Sequence, residues 1–125
     1  MRVIDASAVV KHLIGDISPA AFGDQPLAAP YLIDSEVMHT LRRLDRSARL
    51  SPPVGMRTVE RFGRVSVTRY AVTALLPRIW DLRHSLSAYD ATYVALTEAL
   101  GATSLLTSDA GLARTTGVRC AIELI

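Results

Sequence analysis

Four carboxylates, Asp5, Glu36, Asp90 and Asp109, fall near the starts of helices. Hard oxygen donors gathered in one place suit magnesium or manganese. Asp5 follows the apolar pair Val3-Ile4 and opens Asp5-Ala6-Ser7-Ala8, while Asp109 closes Leu105-Leu106-Thr107-Ser108-Asp109. Each stands where a short strand gives way to a helix, the rim at which open α/β sheets place ligands. Glu36 and Asp90 fall in the first turns of two longer amphipathic helices. If the four converge, the expected chemistry is on phosphate esters.

Taken singly, each acid has a purely structural explanation. Asp5 and Asp109 suit helix N-caps, Asp90 completes a capping box with Ser87, and Glu36 can oppose a helix dipole. The combination points elsewhere. Two carboxylates about 4 Å apart repel by ~4 kcal/mol at an effective dielectric of 20. A cluster of four therefore calls for a cation or a shared proton. A divalent ion gives such a cluster a use in phosphodiester hydrolysis. Ser7 and Thr107 are placed to hydrogen-bond the acids from behind, or to cap local turns.

Other chemistries find little support. His12, His39 and His84 share no metal-ligand spacing. Gly15, Gly23 and Gly55 stand alone, so no glycine-rich phosphate loop is present, and no serine sits in a glycine-flanked elbow. A haloacid-type phosphatase would want a second aspartate where Ser7 stands. A phospho-receiver would want a late lysine, whereas the only lysine is Lys11.

The elements that must position the acids follow from periodicity. Arg2 to Asp5 reads as a buried strand and Ala6 to Ile14 as a helix. The stretch from Gly15 to Pro30 is rich in Gly, Pro, Ser and Ala and reads as mostly loop, with room for one helical turn. From Tyr31 to about Ala48, Ile33, Val37, Leu41, Leu44 and Ala48 mark a helix that ends before Ser51-Pro52-Pro53. That triplet offers a cap and first-turn proline for the next helix, with Val59 and Phe62 as its core contacts. Val65 to Tyr70 reads as a strand. Val72 to Leu86 reads as a helix with Pro77 near its start and Trp80 as a packing residue. Tyr89, Tyr93, Leu96 and Leu100 mark a helix ended by Gly101. A strand at Ser104–Thr107, a short helix to Arg114 and a last strand at Arg119–Ile122 complete the chain. Strands alternating with helices imply a parallel sheet covered on both faces.

With 125 residues, half of them apolar and 21% charged, the chain is expected to be one globular domain, residues 1–125. Asp5, Lys11 and His12 interrupt the N-terminal apolar stretch, so neither a signal peptide nor a membrane span is expected. A lone Cys120, read as a small buried residue of the last strand, fits a reducing cytoplasm. The net charge is only +2, yet eight arginines lie between positions 42 and 69 against Asp45 and Glu60 alone. Arg42, Arg43 and Arg46 lead that stretch. Guanidinium groups favour phosphate-bearing partners, although any one arginine can equally belong to a solvated helix face.

The chain resembles the PIN-domain ribonucleases, and within them the VapC-type toxins of toxin–antitoxin pairs, over almost its full length. Val3-Ile4-Asp5-Ala6-Ser7-Ala8 is similar to the family's opening motif. Ala29-Pro30 with Glu36-Val37 and Leu41-Arg42-Arg43-Leu44 is similar to its second. Ala88 to Leu96 and Leu105 to Asp109 are similar to its third and fourth. The resemblance implies a three-layer α/β/α sandwich with a central, mainly parallel sheet. It implies an Mg2+- or Mn2+-dependent endoribonuclease that arrests translation by cutting a structured RNA, a transfer or ribosomal RNA. It maps the catalytic and metal-binding acids onto Asp5, Glu36, Asp90 and Asp109, and an accessory hydroxyl onto Thr107. Expected partners are the RNA, a cognate VapB-type antitoxin, and a second copy of the chain in a homodimer or a toxin–antitoxin hetero-oligomer. No acid neighbours Asp109, as one does in some relatives, so the fourth position rests on Asp109 alone. The rival from another class is a non-catalytic module that binds RNA or a partner without cutting.

Overall fold

The computed structural model describes residues 1–125 and is built on one five-stranded, fully parallel sheet in the order β3-β2-β1-β4-β5. The strands are β1 (Arg2–Ile4), β2 (Leu27–Pro30), β3 (Val67–Tyr70), β4 (Leu105–Thr107) and β5 (Ile122–Leu124). The helices are α1 (Ala6–Leu13), α2 (Leu32–Arg46), α3 (Pro52–Gly63), α4 (Leu76–Asp81), α5 (Ala88–Ala99) and α6 (Ala110–Ala113). Parallel crossovers are right-handed. The run β1-α1-β2-α2-α3-β3 moves one way across the sheet, and the return to β4 and β5 moves the other. The helices accordingly divide into two packed groups, α1 with α2 and α3, and α4 with α5, one on each face.

The central strands are buried on both sides, which is why they read as continuous apolar runs rather than alternations. Val3, Ile4, Ala28, Ala29, Leu105 and Leu106 have no exposed surface. Each large aliphatic side chain so buried contributes about 1.5–3 kcal/mol. Pairing of Val3 with Leu105 and Ile4 with Leu106 sets the register, so Asp5 emerges directly opposite Thr107. A buried apolar ladder thus aligns two polar residues at its end. β1 feeds β2 on one side while β4 feeds β5 on the other. The gap between the ends of β1 and β4 is therefore the point where strand order reverses, and ligands of such sheets bind there.

Several sequence expectations need correction. Within residues 15–30 the single helical turn is a 3-10 turn at Pro19–Phe22, but the end of the stretch is not loop: β2 occupies Leu27–Pro30. The strand is short, and its proline lies beyond the stretch paired with β1, so it carries no strand-like pattern. The last strand lies at Ile122–Leu124, after Cys120, because its register is set by pairing with buried Leu105–Thr107. Cys120 is half-buried rather than part of the strand. Trp80 does not pack in the core; it is 66% exposed, and the Arg83 guanidinium lies 4.5 Å above its ring. The helix expected over Val72–Leu86 is shorter, a 3-10 turn at Thr73–Leu75 followed by α4 with Pro77 in its first turn. Ala48 lies past the end of α2 with a positive φ and is exposed.

Candidate active site

Asp5 caps α1, its carboxylate accepting the Ala8 backbone N–H at 2.9 Å. The Ser7 hydroxyl donates to Oδ1 of Asp5 at 2.6 Å, and the Thr107 hydroxyl donates to Oδ2 at 2.5 Å. Each hydroxyl has one proton, and both are given to Asp5. The 3.3 Å approach between Ser7 and Thr107 is therefore a contact without a shared proton. Their lone pairs are used as well: Ser7 accepts the Ser108 N–H, and Thr107 accepts the Asp109 N–H, both at 3.0 Å. The chain after β1 and the chain after β4 are thereby tied together across the reversal point, and Asp5 has one fixed orientation.

The other acids arrive from both faces. Asp109 caps α6 through the Gly111 and Leu112 N–H groups. Asp90 lies in the first turn of α5, and the Ser87 hydroxyl accepts its N–H at 3.1 Å. Glu36 sits one turn deeper in α2 than expected. The first-turn acid is Asp34, which Arg69 clamps through a contact of 2.7 Å. Glu36 instead accepts the Tyr93 hydroxyl at 2.5 Å, joining α2 to α5. Asp5, Glu36, Asp90 and Asp109 all line one cleft of about 780 Å³, together with Ser7, His39, Arg43, Tyr89 and Tyr93. The structure brings the four expected acids together.

Their crowding shows in their acidity. Burial, opposed by the donors around it and aided by the charge of Asp109, pushes the Asp5 carboxyl above its usual range. Burial and the charges of Asp5 and Asp90 raise Glu36 despite the Tyr93 hydrogen bond. Burial, Asp109 and Asp5 raise Asp90. A carboxyl raised in the folded state contributes stability below its unfolded pKa and loses it as pH rises through the folded value. Metal-free protein should therefore lose stability as pH climbs out of the ordinary carboxylate range. Asp90→Asn should melt roughly a few degrees above wild type at neutral pH in chelator. Thermal melts of the two across pH should converge in acid; a variant less stable than wild type at neutral pH would refute the repulsion.

The cleft supplies carboxylates, which suit a hard divalent cation better than a soft one. As placed, no three His, Cys, Asp or Glu side chains stand close enough to hold one ion. Glu36, Asp90 and Asp109 retain enough exposure to turn, whereas Asp5 is fixed. The donor chemistry fits such an ion, with Asp5 as anchor.

Of the expected RNA-binding arginines, Arg43 lines the cleft, and Arg42 and Arg46 lie exposed on α2 outside its lining. Other arginines of that stretch hold structure: Arg69 pairs with Asp34, and Arg61 donates to the Leu13 carbonyl at 2.9 Å. Sequence reasoning missed Tyr93 as a site residue, reading it only as one of the residues that mark the helix. It is almost fully buried, yet its hydroxyl reaches Glu36. The signal was its place one turn after Asp90. Tyr93→Phe should lower any cleavage about 10–100-fold, the usual cost of losing a group that orients a ligand. Unchanged rates at limiting metal would count against that positioning role.

The chain belongs to the VapC family of PIN-domain ribonucleases. Ribonuclease VapC9 of Mycobacterium tuberculosis is 42% identical over 126 aligned residues, covering 100% of this chain and 98% of that protein. Ribonuclease VapC1 of the same species is 36% identical, covering 98% and 96%. Among solved structures, PAE2754 from Pyrobaculum aerophilum shares the fold with a TM-score of 0.72 at 21% identity, covering 97% of this chain and 87% of its own. The Mycobacterium tuberculosis VapC20, a sarcin-ricin loop cleaving toxin, shares it with a TM-score of 0.65 at 19% identity, covering 94% and 96%. No family model matches the chain.

Proposed function

We propose that this protein is a Mg2+- or Mn2+-dependent endoribonuclease and the toxin of a toxin–antitoxin pair, cutting a structured transfer or ribosomal RNA and so arresting translation. The observation that carries this reading is the convergence of four acids on one cleft at the sheet's reversal point, three of them pushed up by burial and mutual repulsion. Family membership supplies the ribonuclease class.

In this reading Asp5 and Asp90 are the principal metal ligands, with Glu36 and Asp109 completing the set. A divalent cation held there would supply charge to activate a water and to stabilise the leaving oxygen. The chain's own work is positional. Ser7, Thr107 and the Ala8 N–H fix Asp5, Tyr93 fixes Glu36, and Arg43 draws the RNA backbone toward an otherwise acidic cleft. Without a cation that acidity repels RNA, so substrate and metal should bind together.

A VapB-type antitoxin, a homodimer or toxin–antitoxin hetero-oligomer, and a cytoplasmic site of action belong to the same proposal. No helix is long and apolar enough to cross a membrane. Production of the chain alone in a bacterial host should arrest growth and leave discrete RNA fragments, and Asp90→Asn should do neither. Growth with intact RNA, from protein shown to be folded and soluble, would contradict the toxin reading. Millimolar magnesium should also raise the melting temperature of wild type more than that of Asp90→Asn; equal shifts would remove Asp90 from the ligand set.

A further inference from the structure

Two aromatic residues line the cleft, and only one has a task. Tyr93 is buried, with its hydroxyl committed to Glu36. Tyr89 sits one turn earlier on α5, immediately before Asp90, and is 60% exposed. Its hydroxyl makes no hydrogen bond. Arg43 is also uncommitted: its side chain is exposed, lines the same cleft, and makes neither a hydrogen bond nor an ion pair. It lies two turns beyond Glu36 on α2, about 10 Å along the axis. The cleft thus has an acidic floor, an aromatic face on the α5 side and a free guanidinium on the α2 side.

We propose that Tyr89 is the stacking platform for an unpaired nucleobase next to the scissile phosphate, with Arg43 holding a neighbouring phosphate. This rests on the ribonuclease reading and assigns Tyr89 and Arg43 to holding the RNA strand beside the acids. A tyrosine face can stack only on a base that is free of its own helix, and proteins that read single-stranded or splayed RNA use such faces. Phosphate attraction alone cannot distinguish a strand from a duplex, whereas a platform beside the acids can. The geometry also gives the acidic cleft something it otherwise lacks, a contact with RNA that does not depend on charge.

The test uses wild-type protein titrated by fluorescence anisotropy in calcium, a hard cation that carboxylates hold but that supports little phosphodiester hydrolysis. The probes are labelled oligoadenylate, an abasic ribose-phosphate strand of equal length, and a perfect RNA duplex. Oligoadenylate should bind more tightly than either of the others. Adding Tyr89→Ala should weaken oligoadenylate binding about five- to a hundredfold, and Tyr89→Phe should leave it unchanged. On the abasic strand Tyr89→Ala should change nothing, while Arg43→Gln should weaken both strands. Equal affinity of the Tyr89→Ala and parent proteins for oligoadenylate would overturn the platform. So would an equal loss on the abasic strand, which would make Tyr89 a general shape or partner contact. In either case cleavage by wild type keeps the nuclease reading intact; wild type that neither binds nor cuts RNA removes both.

Discussion

Asp5→Asn protein should lose RNA cleavage by at least about a thousandfold while melting no lower than wild type. The activity loss follows from charge: an amide cannot replace a carboxylate as anchor for a divalent cation whose stabilisation of the reaction is worth several kcal/mol. The retained stability follows from shape. Asparagine is isosteric with aspartate, still caps a helix, and ends the burial of a charge at a position only 6% exposed. It also ends the repulsion by Asp109 that helps push Asp5 upward, and the repulsion by Asp5 that helps push Glu36 upward. Paired cleavage assays and thermal melts check both halves. Cleavage surviving in a well-folded variant would remove Asp5 from the chemistry.

Asp5→Ala should lose cleavage equally but be less stable than Asp5→Asn by about 2–4 kcal/mol, on the order of 10 °C in melting temperature. Both variants lack the charge, so its removal cancels in the comparison. What remains is the hydrogen bonding. Asparagine keeps one oxygen for the Ala8 N–H and the Ser7 hydroxyl while its amide nitrogen faces Thr107, whereas alanine leaves the Ala8 N–H and the Ser7 hydroxyl without their acceptor. Loss of the cap alone costs about 0.5–2 kcal/mol, and each buried unsatisfied group about 1–3 kcal/mol. Urea titration of the two variants measures the gap directly. Equal stabilities would mean that the Ser7–Asp5–Thr107 bridge does not hold β1 to β4.

The acids were legible in the sequence because each stood at a boundary that composition marks well. Val3-Ile4 and Leu105-Leu106 announce buried strands, and the aspartates that follow them double as caps with measurable partners. Family resemblance placed Glu36 and Asp90 in the same set, and the structure puts all four in one cleft. What the sequence did not reveal depends on neighbours distant along the chain. β2 is recognisable only through its pairing with β1 and β3, since Leu27-Ala28-Ala29-Pro30 has neither alternation nor β-branching. The last strand's position is set by β4 rather than by its own residues. Trp80 and Tyr89 fit helical stripes, yet a stripe does not show which of its members a neighbouring element covers. The basic stretch looked uniform in sequence, but the fold gives its arginines different work: Arg69 and Arg61 hold the structure, and Arg43 enters the cleft. Nor could spacing along the chain show that the acids, although neighbours, stand too far apart to share one ion as placed.

The most direct test is incubation of total cellular RNA with purified, antitoxin-free protein in magnesium, in manganese and in chelator, beside Asp5→Asn. Discrete fragments that require the metal and disappear in the variant are the predicted result, and their ends would identify the cut RNA. Intact RNA under every condition, from folded protein that binds magnesium, would contradict the nuclease reading and favour a module that binds without cutting.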